Sequence, residues 1–173
     1  MYEQPDSRPG PDGLPLKTLQ TAENFLLLSL RLWAHQYVFS AAASVPDWRS
    51  GFEAAGLAGV MQDFDALLGI ALSTGRPGPT FRYFACPAAN EDECWFLRCA
   101  TLAQHAQWSA LDEALGSRLP VSSRRAVVSR LHQLGKAMRD AGLRLSFFDT
   151  VMSGHQSVAG QNPTPSAAVR RLH

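Results

Sequence analysis

All three cysteines of this chain, Cys86, Cys94 and Cys99, fall in one stretch that closes on His105. Thiolate and imidazole are the two side chains that most often hold zinc, so Cys86, Cys94 and His105 form the candidate metal or thiol set. The gaps, CPAANEDEC and CWFLRC, match no structural zinc pattern, in which cysteines stand two to four residues apart and a second close pair follows. On a helix Cys94 and Cys99 diverge by about 140°. Cys99 falls on the apolar stripe and reads as a small core residue. Cys94 shares a polar edge with Arg98, Thr101 and His105, where a nearby guanidinium would favour the thiolate and Glu91, Asp92 and Glu93 would oppose it.

Two further polar groupings could bind. Arg31 and His35 stand one turn apart and are expected to lie in a groove between apolar faces, where a histidine can titrate or accept a ligand. Arg125, His132, Lys136 and Arg139 line one side of the last long helix, a row able to hold phosphates or an acidic partner. The segment LDEALGSRLPVSSRRAVVSRLHQL has a loose helix-turn-helix outline, which supplies a nucleic-acid alternative, although a solvated face is the plainer reading. No nucleophile–base pair, glycine-rich phosphate loop, HExxH or paired-carboxylate signature occurs. Asp63 and Asp65 stand two apart and do not converge on a helix. A non-enzymatic protein is therefore expected, with no cofactor beyond a metal ion at the cysteines.

These residues need elements to hold them. The stretch Asn24–Ala43, NFLLLSLRLWAHQYVFSAAA, places Leu26, Leu30, Trp33, Tyr37 and Ala41 on one helical face. Phe25, Leu28, Leu32 and Phe39 make a second apolar stripe roughly opposite. A helix apolar on two sides is wrapped by its own chain or shared with a second copy, so these four residues are the candidate interaction surface of a homodimer. The helix is expected to begin at Thr18 or Thr21 and to stop before Val45-Pro46. A membrane span is not expected, because Arg31, His35 and Gln36 sit in the middle and a central charge costs about 2.5–3.5 kcal/mol on insertion scales.

Asp47 caps a short helix, WRSGFEAA, that Gly56 ends. A third helix runs from about Leu57 to Ser73, with Leu57, Val60, Phe64, Leu67, Leu68 and Ala71 inward. The prolines of RPGPTFRYFACPAA, about residues 76–89, exclude a helix and predict an extended strap whose Phe81, Tyr83 and Phe84 lie against the bundle. Asn90-Glu91-Asp92-Glu93 is a capping box, Asn with Glu three residues on, in an acidic first turn. A shorter helix from about Ser109 to Leu115 precedes a break at Leu119-Pro120. The last long helix, capped by Ser122 or Ser123, then buries Val127, Val128, Leu131, Leu134 and Met138 before Gly142. Gly135 beside that stripe predicts close approach of a neighbour. Leu143, Leu145, Phe147 and Phe148 are expected to fold back on the core.

Composition bounds the rest. A net charge of +1, 46% hydrophobic and 18% charged residues describe a globular chain without global steering toward nucleic acid or anionic membranes. The charge is unevenly spread: nine acids to four bases between Asp47 and Glu113, then seven bases and the single acid Asp140 between Arg118 and Arg144. Three cysteines without framework spacing favour a reducing cytoplasm. Residues 1–16 read as a flexible arm, 17–150 as one helical domain and 151–173 as a flexible tail.

Cys86-Pro87, the acidic start Glu91-Asp92-Glu93, the Leu119-Pro120 break and the closing Ala141-Gly142-Leu143 together resemble small helical bacterial proteins of the domain-of-unknown-function type, in which a Cys-Pro turn precedes an acidic helix start. The likeness covers about half the chain, and here the Cys-Pro turn lacks a second adjacent cysteine. It implies a bacterial, helical protein and carries no activity. The expected architecture is a single all-α bundle of five to six helices. The expected role is an interaction or regulatory module that self-associates or meets an acidic protein partner, with a Cys86/Cys94 sensor and a nucleic-acid binder as alternatives.

Overall fold

A computed structural model describes residues 13–37 and 46–147. The chain forms an all-α bundle of six helices: α1 (Thr21–Tyr37), α2 (Trp48–Ala54), α3 (Met61–Thr74), α4 (Glu91–Gln104), α5 (Trp108–Gly116) and α6 (Val121–Asp140). Two two-residue strands, β1 (Leu14–Pro15) and β2 (Ala88–Ala89), pair antiparallel with Leu14 opposite Ala89. No helix among the described residues is long and apolar enough to cross a membrane.

The capping signals hold. Asn90 Oδ1 accepts the Glu93 N–H at 2.8 Å while Glu93 Oε2 accepts the Asn90 N–H at 3.0 Å, closing the expected box at the start of α4. Asp47 accepts the Arg49 N–H at the start of α2. Gly56 and Gly142 take positive φ, +72° and +80°, just past the ends of α2 and α6. The start of α6 differs from expectation. Pro120 precedes its first turn, and Ser123 lies inside the helix with its hydroxyl donating to Pro120 O at 3.0 Å. Proline fits that place because a first-turn N–H has no helical partner anyway.

Helix α6 packs on both α3 and α4. A Cβ at Gly135 would stand 3.0 Å from the Gln104 N and Cα atoms, so only glycine permits the approach of α6 to α4. Buried Gln104 uses the same place to tie down the chain after α6, donating to Leu143 O at 2.9 Å and accepting the Leu145 N–H at 2.8 Å. Leu145 and Phe147 are buried as expected, and Phe148 lies outside the described residues. Under α1, the rings of Trp48, Phe52 and Phe64 meet at centroid distances of 4.8–5.3 Å.

Helix α1 is enclosed on nearly every side, because α2 covers Phe25 and the strap covers the flank bearing Arg31 and His35. The strap is irregular, as the prolines require, but ends in β2, and the segment it pairs with reaches back to Leu14 inside the expected arm. Tyr83 departs from expectation. It is 57% exposed, with one side against His35 and Phe84, while Phe81 and Phe84 are half-buried.

What fixes the strap is a charge pair with no exposure. Arg31 Nε and Nη2 donate to Glu93 Oε1 and Oε2 at 2.8 and 2.9 Å, with the two side chains 1% and 0% exposed. The remaining donors of Arg31 reach Cys86 O and Ala88 O, both at 2.7 Å. The remaining acceptor capacity of Glu93 takes the Arg82 and Asn90 N–H groups at 2.9 and 3.0 Å. Two charges thus satisfy four backbone groups of the strap. Removing one partner strands the other in the interior, so Arg31→Ala is expected to lower unfolding stability by about 3–5 kcal/mol in chemical denaturation. An isolated buried pair can be replaced by apolar residues at little loss. Here Arg31→Met with Glu93→Leu is expected to stay destabilised, because four backbone groups lose their partners. Recovery of the double variant to parental stability would contradict this.

Candidate functional site

One face of α4 remains open. Glu91, Cys94, Trp95 and Arg98, spaced one turn apart, form the floor of a cleft of about 590 Å3. Leu14 and Phe147 wall one part, and Ser117 and Arg118 of the α5–α6 turn wall another. The walls come from distant parts of the sequence. Leu14 is held by the β1–β2 pair, and Phe147 follows Ser146, whose N–H and hydroxyl both meet Glu23 near the start of α1.

Each floor residue has a distinct environment. The Trp95 ring is fixed by its N–H, which donates to Ala114 O at 2.9 Å. The Arg118 guanidinium lies over that ring, 5.3 Å from its centroid, and pairs with Asp92 and with Glu91 Oε1, the latter at 3.0 Å. The Glu91 side chain is 92% exposed, so its pairing is a surface ion pair worth about 0–1 kcal/mol. Arg98 is exposed at the far end of the floor. Burial first, and then the charges of Glu93 and Glu91, push the Cys94 thiol up to about 11. It therefore faces the cleft as a neutral, weakly polar group, with roughly one thiol in 10⁴ ionised at neutral pH.

The three cysteines are chemically unlike. Burial pushes Cys99 up to about 12, in keeping with its place in the core. Cys86 goes the other way. Partial burial would raise it, but the Ala88 N–H, the Arg82 guanidinium 3.6 Å from Sγ and the charge of Arg31 together hold it below the ordinary thiol value. The expected partner set for a metal does not assemble: no group of three or more His, Cys, Asp or Glu side chains converges among the described residues. His105 lies past the C-terminal end of α4, eleven residues and about 16 Å along the axis from Cys94, with its Nε2 2.8 Å from Leu145 O. Thr101, expected on the same polar edge, is buried and donates to Leu97 O.

The other expected sites have dispersed. Arg31 and His35 line no open groove, since Arg31 is the buried clamp and His35 is buried against Tyr83 and Phe84. Of the proposed dimer stripe, Leu32 is 8% exposed, Phe25 packs on Phe52, Leu28 is 47% exposed and Phe39 lies outside the described residues. In the basic row, Lys136 pairs with Asp140, Arg139 donates to Gln104 O at the end of α4, and His132 stacks edge-on against Trp108. Arg125 is exposed. No protein-family model, curated protein or solved structure matches this chain.

Reading the sequence missed Trp95, Arg118, Leu14 and Phe147 as neighbours of Cys94. The available signal was the i, i+3, i+4, i+7 run Glu91, Cys94, Trp95, Arg98, whose members were divided between a buried stripe and a polar edge. The contrast among thiols has a direct readout. At pH 7–8, iodoacetamide is expected to label Cys86 first, Cys94 much more slowly and Cys99 only on unfolding, as mass spectrometry of peptides would show. Labelling of Cys94 ahead of Cys86 would contradict the assigned environments.

Proposed function

We propose that this protein is a non-enzymatic interaction module whose binding surface is the cleft on α4. The observation that carries this reading is the pairing of a shaped, mixed apolar and charged cleft with a lining that holds no ionised nucleophile. Its volume is in the range of ligand sites, about 300–1,000 Å3. Its aromatic floor and guanidinium edges supply contact area and orientation, and the one thiol it presents stays protonated at neutral pH. Such a surface can hold and orient a guest, and it offers no general base or attacking group to transform one.

Screening by two-dimensional NMR of the whole chain against small aromatic and aliphatic fragments tests this reading. Shifts are expected to cluster at Leu14, Cys94, Trp95, Arg98 and Ser117, and to vanish in Ser117→Trp, which fills the cleft from an exposed turn position. Fragments that bind elsewhere, or nowhere, would remove it.

Self-association through α1 is the second reading, favoured by two outward apolar side chains, Leu28 at 47% and Tyr37 at 49% exposed. In analytical ultracentrifugation, Leu28→Asp is expected to weaken a parental dimer by roughly tenfold or more. A parent that stays monomeric at its highest soluble concentration would eliminate the dimer and leave the cleft reading untouched.

A further inference from the structure

Resting on the cleft as a binding site, we propose that its occupant is a small amphipathic carboxylate, with an apolar body laid against Trp95, Leu14 and Phe147 and its head group on the guanidinium edge formed by Arg118 and Arg98. The cleft already contains a picture of that head group. Glu91 places an almost fully exposed carboxylate on Arg118, 3.0 Å from Nη2, while the same guanidinium lies over the Trp95 ring. A guest carboxylate that takes the place of Glu91 keeps this contact and gains the apolar floor beside it.

Charge supports a single negative head group. Arg98, Arg118, Glu91 and Asp92 sum to zero with Glu91 in place. When Glu91 swings into water, the edge is left with one positive charge, which one carboxylate neutralises. A dianionic phosphate would meet Asp92, still paired with Arg118, and suffer repulsion that a monoanion avoids. The body is apolar because the surfaces available to it are an indole face, two hydrocarbon side chains and an un-ionised thiol. Arg118 also offers a fork geometry that matches carboxylate, and it is held in place by Asp92 before any guest arrives.

Decanoate and decanol, the same chain with and without the charge, are suitable probes below their aggregation limits, with affinity and site read by calorimetry and NMR on the full chain. Decanoate is expected to bind roughly tenfold tighter than decanol, perturbing Trp95 and Arg98, with the preference shrinking as salt rises. Arg98→Ala, at an exposed position, is expected to cost decanoate about fivefold and decanol little. Glu91→Gln, which removes the competing carboxylate, is expected to tighten decanoate at least twofold. Equal affinity for the two probes, no effect of Arg98→Ala, or weaker decanoate binding in Glu91→Gln would overturn the proposal. If fragments still gather in the cleft when the carboxylate preference fails, the ligand class is wrong and the binding site stands; if neither binds there, both fall.

Discussion

The buried contact between Arg31 and Glu93 is the constraint on which the rest of this fold depends. It joins α1 to the first turn of α4 and, through four backbone partners, pins the irregular strap between them. A proline-bearing segment cannot satisfy its own backbone by forming a helix, and burying unpaired N–H and C=O groups is costly. A guanidinium and a carboxylate, with more donors and acceptors than they need for one another, supply what the strap lacks. Glu93 does this while also closing the capping box of α4, so one side chain starts a helix and anchors a neighbouring segment.

Downstream of that clamp, the chemistry divides by side. On the strap, Cys86 shares its surroundings with Arg82 and Arg31, and positive charge lowers its thiol. On the open face of α4, Cys94 stands among carboxylates and is partly buried, so its thiol is raised. Two cysteines that are neighbours in sequence therefore present opposite chemistry: a polarised thiol on the strap and a neutral patch in the cleft. The basic surplus late in the sequence is likewise drawn into structure, with Arg118 on the acidic first turn of α4, Arg139 on the carbonyl end of the same helix and Arg124 on Leu119 O and Gly116 O after α5. This matches the sense of the helix dipole at each end.

Much of the helical framework was legible because its signals are local. Asn90 with Glu93, Asp47 before Trp48, and Gly56 and Gly142 after their helices each act over three or four residues, within reach of one another whatever the rest of the chain does. Gly135 was legible for a related reason, since a bare position beside an apolar stripe leaves room for one kind of neighbour. The polar residues were harder to read. Arg31 looked like a group awaiting a ligand because its partner lies 62 positions away, and Tyr83 looked buried because composition cannot tell which side of a strap faces water.

What the sequence determined by itself was the number and position of the helices, the caps that start them, the break that makes the strap and the all-α class, since each follows from steric and hydrogen-bonding preferences of adjacent residues. Tertiary structure alone decided that Arg31 is a clamp, that Cys86 and Cys94 have opposed thiols, and that Leu14, Trp95, Arg118 and Phe147 share one cleft. The physical reason is that charge, burial and cavity shape depend on which distant segments meet, and no periodicity within a helix encodes the identity of its neighbour across the bundle.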